Sequence, residues 1–361
     1  MDRRSFLRTS ALGGAAAAST TLAAPAYAQG NRTLTLVTSV PDGFAIFDDA
    51  AQQAADYITA MTDGALTINK MPAGSLVGAF EVFDAVSSGQ ADMYHSADYY
   101  FLNQHPAFAF FTAVPFGMTA QEVANWYYRR GGHDQHNELA GLFNLHSFLC
   151  GQTAMQPGGW FNAEITSADD LQGLRFRMPG QGGQVLGRLG ASVQNIPGGE
   201  IYQALASGQI DGAEWIGPYA DERLGFQEIT SIYYAAGFHE PGSALTLSFN
   251  LDVWESLTPS QQQIVDAACR ATHATNTALS LAENGAALAR LQGAGVQVRQ
   301  FPNDVWDAFG RASAEVREEN MGDPMYAAIA ETYFASMQES ASWYEQADGE
   351  YMRQRNRVLG Y

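Results

Sequence analysis

The 361-residue chain carries 38 acidic against 19 basic side chains, a formal net charge of −19, which excludes nucleic acid and anionic membrane surfaces as partners because both would repel it. A small anionic ligand is not excluded, provided its site supplies local positive charge. Two cysteines, Cys150 and Cys269, are too few for a disulfide framework and lack any zinc-type spacing, so both are expected as buried free thiols.

The N-terminus reads as an export signal. Asp2-Arg3-Arg4-Ser5-Phe6-Leu7-Arg8 is a twin-arginine region, an Ala/Gly-rich stretch follows, and Ala26-Tyr27-Ala28 is a small-x-small cleavage site. The apolar stretch is too short and too mild for a membrane anchor. Residues 1–28 are therefore expected to be a twin-arginine signal peptide, leaving a periplasmic chain that starts at Gln29. The remaining length suits two lobes better than one simple core.

Short strands and amphipathic helices then alternate. Strands are expected at Thr33–Thr38, Ala65–Lys70, Ala91–His95 and Phe143–Leu149. Helices are expected at Ala45–Met61, Ala79–Ser88, Ala120–Arg130 and His136–Leu142. A second run has a strand at Leu174–Met178, helices at Gly183–Leu189 and Ile201–Ser207, and an apolar strand at Ala244–Asn250. From Pro259 the pattern is mostly helical, interrupted by a strand at Val296–Arg299. This alternation predicts an α/β fold with largely parallel pairing and long C-terminal helices.

Enzyme motifs fail where they begin. Gly180-Gln181-Gly182-Gly183 follows a strand, but Val185 stands where a dinucleotide fingerprint needs glycine. Arg188-Leu189 replaces the Lys-Ser/Thr pair of a phosphate loop, and neither a nucleophile elbow nor HExxH is present. His133-Asp134-Gln135-His136 lacks further metal ligands nearby and reads as a solvated helix start.

Residues 152–240 carry more. Arg175 and Arg177 are two apart on one strand and share a face opposite Leu174, Phe176 and Met178. Arg177 ends that strand before Pro179-Gly180, where open α/β sheets bind ligands, and its planar fork matches a carboxylate. Gln156, before Pro157-Gly158-Gly159, and Glu240, between Gly237 and Gly242, sit in broken segments, as does Glu214-Trp215 within Asp211–Tyr219. Read singly, each is as consistent with a solvated turn as with a ligand site.

Together these segments resemble the periplasmic solute-binding proteins of tripartite ATP-independent periplasmic (TRAP) transporters, in the branch that takes 2-oxo and 2-hydroxy monocarboxylates. The resemblance rests on Gly74-Ser75-Leu76-Val77, Phe80–Gly89, Ala113-Val114-Pro115-Phe116-Gly117, Gln156–Phe161, Asp170–Arg177, Gly198-Gly199-Glu200-Ile201-Tyr202 and Glu214–Pro218. It implies two α/β lobes joined by a hinge around the ligand: lobe I from residues 29–150 and about 243–300, lobe II from 151–242, and a helical region over 301–361. It further implies that Arg177 clamps the ligand carboxylate and that one metal ion, Ca²⁺ or Na⁺, is held by Gln156, Glu214, the Trp215 carbonyl and Glu240. Tyr100 or its neighbour Tyr99 would touch the ligand, whose acyl tail would face aromatic residues such as Trp160, Trp215 and Phe238.

Charge supports the ion. Glu214, Glu240 and a monocarboxylate would face Arg177 alone, and the uncompensated negative charge would reject the ligand without a cation. Ca²⁺ balances that set; Na⁺ would balance it if Arg175 also reached the cleft. The partners implied are a small organic acid anion, the TRAP membrane permease subunits and a second copy of the chain, dimerised through the C-terminal helices. A metal-dependent hydrolase or lyase using Glu214 and Glu240 is the rival reading, and a sugar acid or sulfonate the alternative ligand.

Overall fold

Eleven strands among the described residues form two separate mixed sheets. The computed structural model describes residues 31–360, so the signal-peptide expectation for residues 1–28 lies outside the described residues. In the first sheet the order is β2(Leu66–Met71)-β1(Arg32–Thr38)-β3(Met93–Ser96)-β10(Ala244–Asn250)-β4(Leu145–Gln152). β1 runs parallel to β2 and β3, whereas β10 is antiparallel to both β3 and β4. The second sheet has the order β11(Gln297–Arg299)-β9(Ile232–Tyr234)-β5(Gly159–Phe161)-β8(Gly212–Ala213)-β6(Arg175–Arg177)-β7(Ser192–Gln194). Here β5 is antiparallel to β8 and β9, while β6 is parallel to β7 and β8.

The expectation of largely parallel pairing is thus corrected. The strands flanking the crossings pair antiparallel, β4 with β10 and β5 with β9. The boundary near residue 300 is corrected too: β11 pairs with β9 and belongs to the second sheet.

Two crossings run side by side. Thr153 N–H donates to Ser243 O (2.9 Å), Gln156 N–H to Glu240 O (3.0 Å), Gly237 N–H to Gln156 O (3.1 Å) and Gly158 N–H to Tyr234 O (2.7 Å). These pairs tie the two segments into one ribbon, and both Gln156 and Glu240 lie on it.

The third crossing is the helix Pro259–Gly293, 35 residues long. Its start is dictated locally: Thr258 Oγ1 accepts from Gln261 N–H (3.2 Å), the Gln261 side chain accepts from Thr258 N–H (3.0 Å), and Pro259 fills the first turn. Its apolar face, with Val265, Ala268 and Cys269, packs on β4, β10 and the helix Phe47–Met61 in the first lobe's core. Cys150 and Cys269 are both buried there as free thiols.

The helix Asn303–Asn320 packs on lobe II through Val305, Phe309, Ala312 and Val316. The chain then breaks at Gly322, restarts at Pro324 with Asp323 capping Tyr326 N–H (2.8 Å), and lays the helix Pro324–Tyr344 across lobe I. Tyr333 OH accepts from Met118 N–H (2.7 Å), and Trp126 Nε1 donates to Thr332 Oγ1 (3.2 Å). This helix therefore straps the lobes together rather than extending freely. No helix among the described residues is long and apolar enough to cross a membrane.

Candidate functional site

Arg177 ends β6, and the alternation that buries Phe176 in the lobe II core sends its neighbours to the other face. The two arginines on that face part company. Arg175 is exposed, its Nε donating to Asp211 (2.9 Å) and Nη1 to Gly208 O (2.7 Å). It does not reach the cleft, because Asp211 next to β8 captures it. Arg177 is fully buried: Nε donates to Ile196 O (3.0 Å), and Nη1 donates to Glu214 O (3.1 Å) and forms an ion pair with Glu214 Oε1. Its Nη2 has no protein partner.

Glu214 follows β8, its N–H donating to Arg177 O (3.3 Å), so the ladder that pairs β8 with β6 sets acid beside base. The next turn is held by a buried carboxylate. Asp221 accepts from Ile216 N–H (3.1 Å), Gly217 N–H (3.0 Å), Trp160 Nε1 (2.9 Å) and Tyr233 OH (3.3 Å). Burial pushes this acid up to about 6 against those hydrogen bonds, with Glu214 adding to the rise. Trp215 lies with its ring 5.3 Å from the Arg177 guanidinium, edge-on to Phe44 of lobe I, over Gly198, where a Cβ would stand 2.3 Å from the indole.

The crossing ribbon supplies the rest. Gln156 is buried, its Nε2 donating to Thr153 Oγ1 (3.1 Å) and its Oε1 unpartnered. Ser243 Oγ donates to Glu240 Oε2. Burial and then the Glu214 charge push Glu240 up to about 7, with His239, Ser243 and Arg177 pulling the other way. Glu214, His239 and Glu240 present ligand atoms that all lie within 4.8 Å of one another, and this is the one such His/Cys/Asp/Glu group among the described residues.

Tyr99 and Tyr100 close the site from lobe I. Burial raises both phenols above their ordinary value; beside Tyr99 the leading charge is Glu240, and beside Tyr100 it is Arg177. The Tyr99 ring also covers Gly180 at the start of the helix after Arg177, where a Cβ would stand 3.2 Å away. Both tyrosines border the cluster.

The fold thus brings Arg177, Glu214, Trp215, Glu240 and the tyrosine pair together, with Gln156 hydrogen-bonded to Glu240 through the backbone. Two of the aromatics expected around the acyl tail turn elsewhere. Trp160 donates to Asp221 and packs on Tyr233 (4.4 Å), and Phe238 stacks on Phe309 (3.9 Å) inside lobe II. The His133/His136 pair is not a solvated helix start: His136 is buried, with Nε2 2.8 Å from Asp98 Oδ2 and its ring stacked on Phe111 at 4.0 Å. Sequence reasoning also passed over His239 and Asp221. The available signal for His239 was its place beside Glu240 in a glycine-bounded segment.

Four residues of this cluster, Gln156, Arg177, Glu214 and His239, hold buried polar atoms without protein partners. Buried polar atoms are normally satisfied, so their concentration around two carboxylates and one guanidinium fits a cation and an anion together. Hard oxygens suit Na⁺ or Ca²⁺, and the free guanidinium edge suits a carboxylate.

The family model for bacterial extracellular solute-binding protein, family 7, matches residues 36–322. A monocarboxylate 2-oxoacid-binding periplasmic protein of Nostoc is 38% identical over 309 residues, 85% of each chain. A TRAP solute-binding protein of Bordetella bronchiseptica, crystallised as a mixed-occupancy dimer with calcium and picolinate, is 34% identical, with a TM-score of 0.89 over 91% of this chain and 98% of that one. Relatives from Pseudoalteromonas atlantica, with sodium and pyruvate, and Colwellia psychrerythraea, with calcium and pyruvate, are each 37% identical with TM-scores of 0.87. They cover 90% of this chain, and 99% and 100% of their own.

Proposed function

Since the chain belongs to the bacterial extracellular solute-binding proteins of family 7, we propose that its buried cluster holds one metal ion together with a small 2-oxo or 2-hydroxy monocarboxylate. The protein is a periplasmic TRAP solute-binding component and not an enzyme, which sets aside the hydrolase or lyase reading. The observation that carries the ligand proposal is the set of unpartnered buried atoms on Gln156, Arg177 and Glu214. Arg177 Nη2 would take the acid's carboxylate beside Tyr100. Glu214 Oε2, Glu240 Oε1, Gln156 Oε1 and the Trp215 carbonyl would hold the ion, which supplies the positive charge that lets the anion enter a site already holding two carboxylates. A ligand with a C2 oxygen next to its carboxylate can meet the ion and the guanidinium at once. Pyruvate, longer 2-oxo acids and lactate share that chemistry.

Arg175, bound to Asp211, contributes nothing to the cluster's charge. Two carboxylates and the ligand then face one guanidinium, an imbalance that Ca²⁺ cancels and Na⁺ halves. The proposal therefore favours Ca²⁺. Native mass spectrometry of the exported protein tests it: a 2-oxo or 2-hydroxy acid with one Ca²⁺ is expected, and a co-purified sugar acid or sulfonate would contradict the ligand class.

Export by the twin-arginine route, delivery to the permease subunits and dimerisation complete the proposal. Trp343, Tyr351, Met352, Val358 and Leu359 are exposed on the last helices, an apolar surface consistent with a second copy. Light scattering at micromolar concentration should give twice the chain mass; a monomer would count against the dimer.

A further inference from the structure

We propose that His239 is itself a ligand of the metal ion, making the centre a mixed nitrogen–oxygen site that accepts the borderline cation Zn²⁺ as well as hard cations such as Ca²⁺ and Mn²⁺. This rests on the metal-assisted reading above and extends it to a residue outside the expected ligand set.

His239 is 2% exposed, and both its ring nitrogens lack a partner. A buried imbalance of that kind is rare, because one nitrogen of an imidazole donates and the other accepts. The surroundings are built to hold the ring. A Cβ on Gly182 would stand 2.7 Å from His239 Cβ, and one on Gly237 would stand 2.6 Å from its Cε1. Only glycine at both places leaves that space.

The orientation is specific. His239 Nε2 lies 3.6 Å from Glu214 Oε2 and 4.0 Å from Glu240 Oε1. Both separations are too long for an N–H···O hydrogen bond. They fit ligands that share an ion: donors about 2.1 Å from a metal stand roughly 3.0 Å apart at right angles and at most roughly 4.2 Å apart in line. The two oxygens concerned are also the free ones. Glu214 Oε1 is taken by Arg177, and Glu240 Oε2 by Ser243. One uncommitted oxygen from each carboxylate and one uncommitted nitrogen therefore sit together in a group whose ligand atoms lie within 4.8 Å of one another. Imidazole nitrogen favours zinc and its neighbours over the hard cations that oxygen alone selects.

The experiment uses metal-stripped full-length mature protein and His239→Gln, with calorimetric titration of Ca²⁺, Mn²⁺ and Zn²⁺. Electron spin-echo spectroscopy of the Mn²⁺-loaded wild type is run alongside. The proposal expects Zn²⁺ to bind more tightly than Ca²⁺, and a ¹⁴N coupling from a directly bound imidazole on Mn²⁺. In His239→Gln, Zn²⁺ affinity should fall about tenfold or more with Ca²⁺ affinity changing far less. Mn²⁺ bound without that nitrogen coupling, or an unchanged Zn²⁺/Ca²⁺ affinity ratio in a folded variant, overturns it. The wild-type nitrogen signal decides the matter even if the variant fails to fold. Should the wild type bind none of the three ions, the metal-assisted reading beneath it falls as well.

Discussion

Arg177 is committed on one side and open on the other. Nε and Nη1 are spent on Ile196 O and Glu214, while Nη2 has no protein partner and takes the ligand in the proposed reading. Truncation would therefore do two things at once. Arg177→Ala should abolish acid binding and also cost about 3–5 kcal/mol in urea denaturation, because Glu214 stays buried without its partner. Arg177→Lys keeps the charge but loses the fork, and should weaken pyruvate binding about tenfold or more by calorimetry; unchanged affinity would remove Arg177 from the clamp. Asp221 acts at a distance from the ligand. Asp221→Asn places an amide against backbone and indole donors and should cost about 1–3 kcal/mol, read as a lower thermal midpoint. Rescue of that midpoint by saturating ligand would fit a role in holding the Glu214-Trp215 turn.

At the scale of elements, the crossing ribbon and the long helix position the site. Asn276, on the helix Pro259–Gly293, accepts from Gln152 N–H (2.8 Å) and donates to Ile46 O (2.8 Å), tying β4 and the Phe47–Met61 helix to the third crossing. Asn276→Ala takes this acceptor from the buried Gln152 N–H, while Ile46 O keeps its bond from Ala50 N–H (3.2 Å), and should cost about 1–3 kcal/mol by denaturant titration; a loss within error would show that water replaces the lost bonds. The first lobe was legible in the sequence because β1, β2 and β10 are six or seven residues long and apolar enough to declare themselves. The second sheet was largely hidden. β5, β7, β8 and β9 are two or three residues long, below the length at which alternation can be read. Arg177 was legible through its place on β6 and the family resemblance. Its separation from Arg175 was not, since only tertiary structure brings Asp211 alongside. The strap helix likewise reads as helix from its periodicity, but its attachment to lobe I depends on Tyr333 and Thr332 meeting partners more than 200 residues away.

For the whole molecule, acidity and burial decide how it responds to pH and to ligand. Burial pushes His95, His146 and His273 each down to about 4 from an ordinary 6.5. A depressed histidine contributes stability that is present above about 6.5 and is lost as pH falls toward 4. Asp221 and Glu240, pushed up to about 6 and about 7, work in the opposite sense over the same range. Three histidines outweigh two carboxyls, so the thermal midpoint of the metal-stripped protein should fall between pH 7 and pH 4.5; a midpoint that rises on acidification would contradict the balance. On the proposed site ligand would act across the lobes, because Arg177 and Glu214 come from the second sheet, Tyr99 and Tyr100 from lobe I, and Gln156 and Glu240 from the ribbon between. Binding at one point thus reports on both lobes, which is how closure could signal to a membrane partner. The claim beneath all of this is that the anion enters only with a cation. Calorimetric titration of pyruvate into protein stripped of metal, and then into the same protein with Ca²⁺ restored, tests it most directly. The account predicts no measurable binding until Ca²⁺ returns, and equal affinity with and without the ion would contradict it.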